Sequence, residues 1–284
     1  MISEAGLRIR QPRFADNRWY SASGSQLRTE VEGYLVEAAG EPNPAGLIGL
    51  VAPHAGHLFS GHVAGAAFAG LRPGAFKTVV LLGPDHRGAA KGHIASPEVD
   101  LWRTPLGDIP VAWEVLQALQ AGIELTLLQT DEEHSLEIEL PFLQMTLEQF
   151  RLVPLMIGDP SPQTCRRLGQ ALVKALSTAQ PGPTLFVASS DLSHFFQDDT
   201  ARRLDQTTLQ FILDLDADGL LDHVEDGRRQ GHPLACGAGP IAAMIHAAKA
   251  LGAARTQLIK YATSADVHPR QDQVVGYAAV GISR

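Results

Sequence analysis

Histidines at the ends of predicted strands are the residues of this sequence best suited to chemistry. The stretch VAPHAGHLFSG places His54 and His57 in a turn between an apolar run and a helical segment of small residues. The stretch KTVVLLGPDHRG repeats this arrangement with His86, and TLFVASSDLSHFF ends in Asp191 and His194. Because ligands bind where the carboxyl ends of parallel strands meet, we expect these segments to form one site.

Cys236 is a further candidate for this site. It lies in LACGAGP, a glycine-rich turn before a predicted helix, and a helix N-terminus favours the thiolate form that binds metal. Imidazole, carboxylate and thiolate groups together suit iron, copper or zinc, and two histidines with an anionic third ligand are typical of non-haem iron sites. The other cysteine, Cys165, lies in a segment with helical periodicity, which favours a packing role.

The segment DEEHSLEIELP adds a histidine and several acidic residues to the candidates. We expect a helix here with Asp131 as its N-cap and with Pro141 causing a kink or a late helix start. The i, i+3 spacing of His134 and Glu137 would then place both on one helix face, where they could line a substrate pocket. An acidic first turn that complements the helix dipole is the alternative for Glu133, but it does not account for His134.

Composition and charge exclude several classes of protein. The 284 residues carry a formal net charge of -8 and contain no run of Lys or Arg, which argues against binding to nucleic acid or an anionic membrane. No apolar run approaches the ~20 residues that span a bilayer, and the N-terminal residues lack the apolar core of a signal peptide. Two cysteines are too few for a disulfide framework, so we expect a cytoplasmic protein.

Predicted strands and helices alternate along the chain after an extended arm at residues 1–22. This pattern predicts a single α/β domain over residues 1–284, with a largely parallel or mixed central sheet and helices on both faces. Ser23 and Gln26 have capping-box spacing at the first helix. Residues 92–111 predict a hairpin inserted between sheet elements, residues 216–231 a charged, partly irregular segment, and Gly276 a bulge or a close backbone approach.

The sequence contains six motifs that, in this order, resemble the Memo family, whose microbial members are called AmmeMemoRadiSam system protein B. They are APHAGHLFSG, LLGPDH, TPLG, EHSLEIELPFLQ, SSDLSH and CGAGP. The resemblance extends over nearly the whole chain. It implies an α/β fold related to the LigB-type class III extradiol dioxygenases, which use non-haem iron.

The resemblance also implies roles for particular residues. The metal ligands of Memo-like proteins, two histidines and a cysteine, fall on His54, His86 and Cys236. Asp191 and His194 resemble the pocket pair beside the metal, with His194 at the position of the dioxygenase catalytic base. The carboxylate ligand of the dioxygenases is replaced by the thiolate, which puts ring cleavage in doubt.

His57 departs from the family pattern, which often has tyrosine at this position. Three roles remain open for His57: an added metal ligand, an acid or base, or a side chain that only fills space. We expect His57 to line the pocket without touching the metal.

Three functions follow from these residues and this resemblance. The first is a metal protein with redox or oxygen-dependent activity that uses iron, or alternatively copper. The second is a non-catalytic module that uses an enzyme-like pocket to bind a peptide, a small molecule or a radical-SAM-system partner. A hydrolase with Ser193 or Cys236 as nucleophile and His194 as base is the weakest, because adjacent side chains of an extended segment point apart.

Overall fold

The computed structural model describes residues 6–39 and 43–284. The start of the predicted arm, residues 1–5, and part of the turn after the first helix, residues 40–42, lie outside the described residues.

Across these residues the chain forms twelve strands: β1 (Ile9–Arg10), β2 (Leu47–Ala52), β3 (Thr78–Pro84), β4 (Ile94–Pro97), β5 (Leu101–Thr104), β6 (Gly107–Pro110), β7 (Leu125–Leu128), β8 (Arg151–Ile157), β9 (Thr184–Ser189), β10 (His194–Phe196), β11 (Arg255–Thr263) and β12 (Val274–Ser283). The same residues form eight α-helices: α1 (Gly24–Glu37), α2 (His57–Phe68), α3 (Trp113–Gln120), α4 (Leu140–Leu147), α5 (Pro162–Ala179), α6 (Asp198–Leu213), α7 (Ala217–Arg229) and α8 (Ala238–Ala250). Short 3-10 helices span Glu137–Glu139 and Ser264–Asp266.

A mixed sheet of nine strands forms the centre of the fold. Its order is β10-β12-β2-β9-β3-β8-β4-β7, with β11 paired to β12. The four central strands β2, β9, β3 and β8 run parallel, whereas β12 and β4 pair antiparallel with β2 and β8. The predicted α/β class with a mixed sheet is therefore confirmed.

Each central strand contributes apolar side chains to both faces of the sheet. In β3, Val80 and Leu82 belong to the core beneath α3, α5, α6, α7 and α8, whereas Val79 and Leu81 belong to the core beneath α1, α2 and α4. Burial on both faces explains why these strands are continuous apolar runs in the sequence. It also leaves the strand ends as the places where polar residues can gather.

Several local predictions agree with the structure. The Ser23 hydroxyl accepts a hydrogen bond from the Gln26 backbone N–H at the start of α1. Pro141 lies in the first turn of α4, which is the predicted late helix start. Gly276 is a close backbone approach, because a Cβ atom there would overlap the Asp205 carboxylate.

The predicted pairing within residues 92–111 was wrong. β4 does not pair with β5 but joins the central sheet, beside β8 and β7. The hairpin forms instead between β5 and β6, and β1 of the arm adds to it as a third strand. The reason is local: the turn lies within TPLG itself, where Gly107 takes a φ of 132° that other residues disfavour.

The prediction of a partly irregular segment after Leu215 was also wrong, since helix α7 spans Ala217–Arg229. Asp216 caps this helix by accepting a hydrogen bond from the Gly219 backbone N–H at 2.9 Å. In the sequence, charged residues surround Leu220 and Leu221, which form the apolar face of this helix. No helix in the described part of the chain combines the length and apolar character needed to cross a membrane.

Candidate metal centre

Three histidines converge at the carboxyl ends of the parallel strands. His54 follows β2, His86 follows β3, and His134 lies in the loop before the 3-10 helix at Glu137–Glu139. Each offers one potential ligand atom, and these atoms all lie within 4.8 Å of one another. The ring centroids of His86 and His134 are 4.7 Å apart, and those of His54 and His86 are 5.2 Å apart.

Cys236 lies at the edge of this histidine cluster. Its Sγ atom is 3.3 Å from His54 Nε2, within reach of an ion that this nitrogen would bind. The adjacent Gly237 packs against the Ser189 carbonyl, where a Cβ atom would overlap, and donates its backbone N–H to Ser190 Oγ at 2.9 Å. Desolvation and the Asp191 carboxylate raise the pKa of the Cys236 thiol. A bound cation would reverse this effect by favouring the thiolate.

Glu133 fixes the orientation of His86. One carboxylate oxygen lies 2.9 Å from His86 Nδ1, and the other accepts the His86 backbone N–H at 2.6 Å. Burial alone would raise the pKa of Glu133, but the hydrogen bond and charge of His86, with the Ser135 backbone N–H, hold it at about 2. Glu133 is therefore an ionised acceptor, which places the His86 proton on Nδ1 and leaves Nε2 free for a metal.

His54 is held by the end of β9. Its Nδ1 lies 2.8 Å from Ser189 Oγ, and its backbone N–H donates to Asp191 Oδ1 at 2.9 Å. Ser189 Oγ in turn lies 2.7 Å from the buried Glu139 carboxyl group. Burial lowers the pKa of His54 well below its ordinary value, and the neighbouring histidines add to this. The ring is thus neutral, as metal binding requires.

His134 has the least satisfied side chain of the cluster. Its Nδ1 is buried and makes no hydrogen bond to any described residue, although Glu133 Oε1 lies 3.2 Å away in an unfavourable direction. Burial lowers the pKa of His134 to about 4. The rings of Phe14 and Trp19, from the N-terminal arm, pack against it. These neutral imidazoles, one of which has a buried nitrogen without a hydrogen-bond partner, are suitable ligands for a metal ion.

Asp191 and His194 lie beside the cluster but are not joined by a hydrogen bond among the described residues. Asp191 is buried, which raises its pKa to about 7 despite the backbone N–H groups of His54 and Ala55. His194 donates its backbone N–H to the Pro233 carbonyl at 2.9 Å, and burial lowers the pKa of its ring. Asp191 therefore holds the His54 turn rather than orienting His194 through a hydrogen bond.

Two residues predicted to line the pocket lie elsewhere. His57 begins α2, where Nδ1 is 3.1 Å from Glu30 Oε1, Nε2 is 3.2 Å from the Ile138 carbonyl, and the ring stacks on Tyr20. Glu137 is fully buried and bonded to the N-terminal arm. Both side chains stabilise the packing of the arm.

The prediction that Asp131 caps a helix bearing His134 and Glu137 was wrong. Asp131 forms a buried ion pair with Arg10, and regular helix begins only at Glu137. His134 therefore lies outside the helix, and its ring packs edge-on against the ring of His54. The role of Glu133 was missed because helix-dipole complementarity already accounted for an acidic residue there. Its position directly before His134 was the available signal.

A cavity of about 930 Å³ opens beside the cluster. Its lining includes His86, His194 and Cys236, together with residues of α7 and of the loop before α8. The cavity gives a small molecule access to the proposed metal ligands.

The chain matches the family model described as "Memo-like protein" over residues 10–281. It belongs to the Memo family. A MEMO1 family protein of Methanopyrus kandleri is 38% identical, with 94% of this chain and 96% of the relative covered. One from Archaeoglobus fulgidus is 34% identical, with 96% and 98% covered. The resemblance stated from the motifs is thereby confirmed.

A solved structure supports the fold. An uncharacterised protein from Escherichia coli K12 superposes with a TM-score of 0.51, covering 82% of this chain and 99% of that chain. At 14% identity this likeness concerns the fold alone. For this Memo-family protein, the site must therefore be argued from its own side chains.

Proposed function

We propose that this Memo-family protein binds a divalent metal ion through His54 and His86 and uses it for redox or oxygen-dependent chemistry on a small molecule. The observation that carries the proposal is the convergence of three imidazoles, whose potential ligand atoms lie within 4.8 Å of one another, with the Cys236 sulfur 3.3 Å from His54 Nε2. Imidazole with thiolate suits iron, copper and zinc, and the first two are redox-active. We expect the bound ion to be iron, or alternatively copper.

The third ligand distinguishes two versions of this site. With Cys236 as ligand, the ion gains an anionic donor, and His134 remains as a neutral neighbour. With His134 as ligand, the set is three neutral histidines and the thiol stays protonated. We favour Cys236, because a thiolate would offset part of the charge of a divalent ion in this buried position.

The surrounding residues suit proton transfer. A bound iron or copper ion would supply one-electron and oxygen chemistry that side chains lack. His194 faces the cavity with a lowered pKa, so its ring is neutral near pH 7 and can accept a proton from a bound molecule. Asp191 holds the backbone of His54 in position. A non-catalytic role in binding a peptide, a small molecule or a radical-SAM-system partner is the alternative.

Metal analysis of untagged protein, purified without chelators, tests the proposal. We expect stoichiometric iron or copper in the wild type and its loss in His54→Ala and His86→Ala. Absence of stoichiometric metal in the wild type would refute the metal site. If metal is bound but oxygen, thiols and catechols are all left unchanged, the non-catalytic role is supported.

Cobalt substitution decides the third ligand. A cysteine thiolate bound to Co²⁺ produces an intense sulfur-to-metal charge-transfer band, which three histidines cannot produce. We expect this band in the wild type and in His134→Gln and its loss in Cys236→Ser. A wild-type spectrum without the band, together with loss of cobalt from His134→Gln, would support the three-histidine set instead.

The cytoplasm is the location we propose. Both cysteines are free, with Cys165 buried and Cys236 partly exposed, as in proteins of reducing compartments. A redox-active thiol ligand would also be preserved there.

A further inference from the structure

One buried side chain of the N-terminal arm, Arg10, contacts the loop that carries His134. Strand β1 pairs in parallel with β5 and sets Arg10 beside Trp102. The guanidinium carbon lies 4.0 Å from the centroid of the Trp102 ring, in a cation–π contact. The Arg10 side chain is only 4% exposed. A charge buried this deeply requires partners for its N–H donors, and residues 131–137 supply them.

Arg10 and Asp131 together hold both backbone polar groups of Glu133. The guanidinium group donates to the two carboxylate oxygens of Asp131, at 2.9 and 2.7 Å. Arg10 Nη2 also donates to the Glu133 carbonyl at 3.0 Å, and the Glu133 backbone N–H donates to Asp131 Oδ1 at 3.1 Å. A shift of the Glu133 backbone would therefore break at least one bond to this buried ion pair.

The Glu133 carboxylate extends this restraint to the histidines. Its Oε1 atom lies 2.9 Å from His86 Nδ1 and accepts the backbone N–H groups of His134 and Ser135, both at 2.9 Å. The direction of this carboxylate depends on the Glu133 backbone that Arg10 holds. Arg10 therefore acts on the His86 ring without touching it.

We propose that Arg10 is a positioning residue of the metal centre: by holding the Glu133 backbone, it keeps the Glu133 carboxylate directed at His86 and so strengthens metal binding. The inference rests on the proposed function, because the ion is placed at His86. It gives the N-terminal arm, from which we expect no metal ligand, a share in the affinity of the site. By linkage, a bound ion must in turn stabilise the docked arm.

This role depends on the shape of the arginine side chain as well as its charge. The planar guanidinium group bonds a carboxylate through two parallel N–H groups and still has an N–H for the Glu133 carbonyl, whereas a lysine ammonium is a point charge. Arg10→Lys therefore keeps the charge and loses the contacts that fix Glu133. Arg8→Lys is the matched control, because Arg8 lies on the same arm but pairs with Glu98 and Asp100.

Zinc affinity measures the effect on metal binding. Zn²⁺ binds imidazole and thiolate ligands, and competition with a chromogenic chelator gives its affinity. We expect Arg10→Lys to bind Zn²⁺ roughly tenfold more weakly than the wild type, the lower end of the loss for a residue that orients a ligand, because Arg10 acts through Glu133. Arg8→Lys should keep the wild-type affinity. Equal affinities of the two variants would overturn the proposal.

The tautomer of His86 in the metal-free protein tests the positioning without any ion. Long-range proton–nitrogen correlation spectra show which ring nitrogen carries the proton, and loss of the signals in His86→Gln assigns them. We expect the Nδ1–H tautomer in the wild type and in Arg8→Lys, and a mixture with the Nε2–H tautomer in Arg10→Lys. An unchanged tautomer in Arg10→Lys would contradict the role of Arg10, whereas a merely structural role would leave the tautomer as it is.

Hydrogen exchange of the wild type needs no variant and so remains decisive if Arg10→Lys fails to fold. The backbone N–H groups of Arg13 and Phe14 donate to Glu137 and report whether the arm is docked. Saturating Zn²⁺ should slow their exchange more than that of the Asp214 N–H at the end of α6, which donates to Gln210. Equal slowing at the arm and at Asp214 would refute the linkage.

Failure of the proposed function would be recognised separately. A wild type that binds neither native metal nor Zn²⁺ would refute the metal site and with it the effect on affinity. The tautomer of His86 in the same metal-free protein would still decide whether Arg10 positions the ring.

Discussion

The buried carboxylate of Glu137 attaches the N-terminal arm to the rest of the protein, and its removal should destabilise the fold. Glu137 forms an ion pair with Arg10, accepts the backbone N–H groups of Arg13 and Phe14 at 2.9 and 2.8 Å, and accepts the Tyr20 hydroxyl at 2.6 Å. The side chains of Arg10 and Glu137 are 4% and 0% exposed. Solvent therefore cannot replace the lost partner.

The size of the effect follows from what remains. Breaking a buried ion pair by removing one partner costs about 3–5 kcal/mol. Arg10 keeps two hydrogen bonds to Asp131, at 2.9 and 2.7 Å, which argues for the lower end of that range. We therefore expect Glu137→Gln to lower the free energy of unfolding by about 3 kcal/mol. Tyr20→Phe removes only the bond from the hydroxyl to the carboxylate and should cost about 1.5–3 kcal/mol.

Urea denaturation of the purified variants measures both values, provided that the slope with denaturant stays constant. Glu132→Gln is the matched control, because the Glu132 side chain is 78% exposed and should change stability by less than about 0.5 kcal/mol. Limited proteolysis should also cut the arm faster in Glu137→Gln than in the control. If Glu137→Gln is as stable as the wild type and its arm is cut no faster than in the control, the reasoning is refuted.

Three further predictions concern the site and the core. Glu133→Gln should weaken metal binding by roughly 10–100-fold, measured by competition with a chelator, because it removes the carboxylate that orients His86. Burial raises the pKa of Glu139 well above its ordinary value. Glu139→Gln should therefore change the free energy of unfolding by less than about 1 kcal/mol, whereas Glu139→Leu should lower it by about 1–3 kcal/mol. A large loss of stability in Glu139→Gln would show that the group is ionised. Burial raises the pKa of Cys165 to about 12, so iodoacetamide at pH 8 should label it only in urea, as mass spectrometry of its peptide would show.

The arrangement of the fold could be predicted because the sequence signals were local. The central strands are apolar runs buried on both faces, and each is followed by a break at which polar residues begin. The rule that carboxyl ends of parallel strands share one edge then brought His54, His86 and Asp191 together. No contact between these residues had to be known in advance.

The contacts of the arm could not be predicted in the same way, because they depend on pairs far apart in the sequence. Arg10 and Glu137 are separated by 127 positions, and nothing in either segment indicates the other. Glu137 was therefore assigned to a helix face shared with His134. The hairpin of β5 and β6 was similarly misplaced, since a period-two pattern does not reveal which strand becomes the partner.

The choice between Cys236 and His134 shows why the ligand set itself lies beyond the sequence. Cys236 and His134 each offer a donor atom. Each lies on a loop that hydrogen bonds or close packing hold near His54 and His86. The Glu133 carboxylate anchors the loop of His134 to His86, and Gly237 lets the loop of Cys236 close onto the end of β9. Because these anchors hold both donors near the His54 and His86 pair, only the chemistry of a bound ion can select the donor.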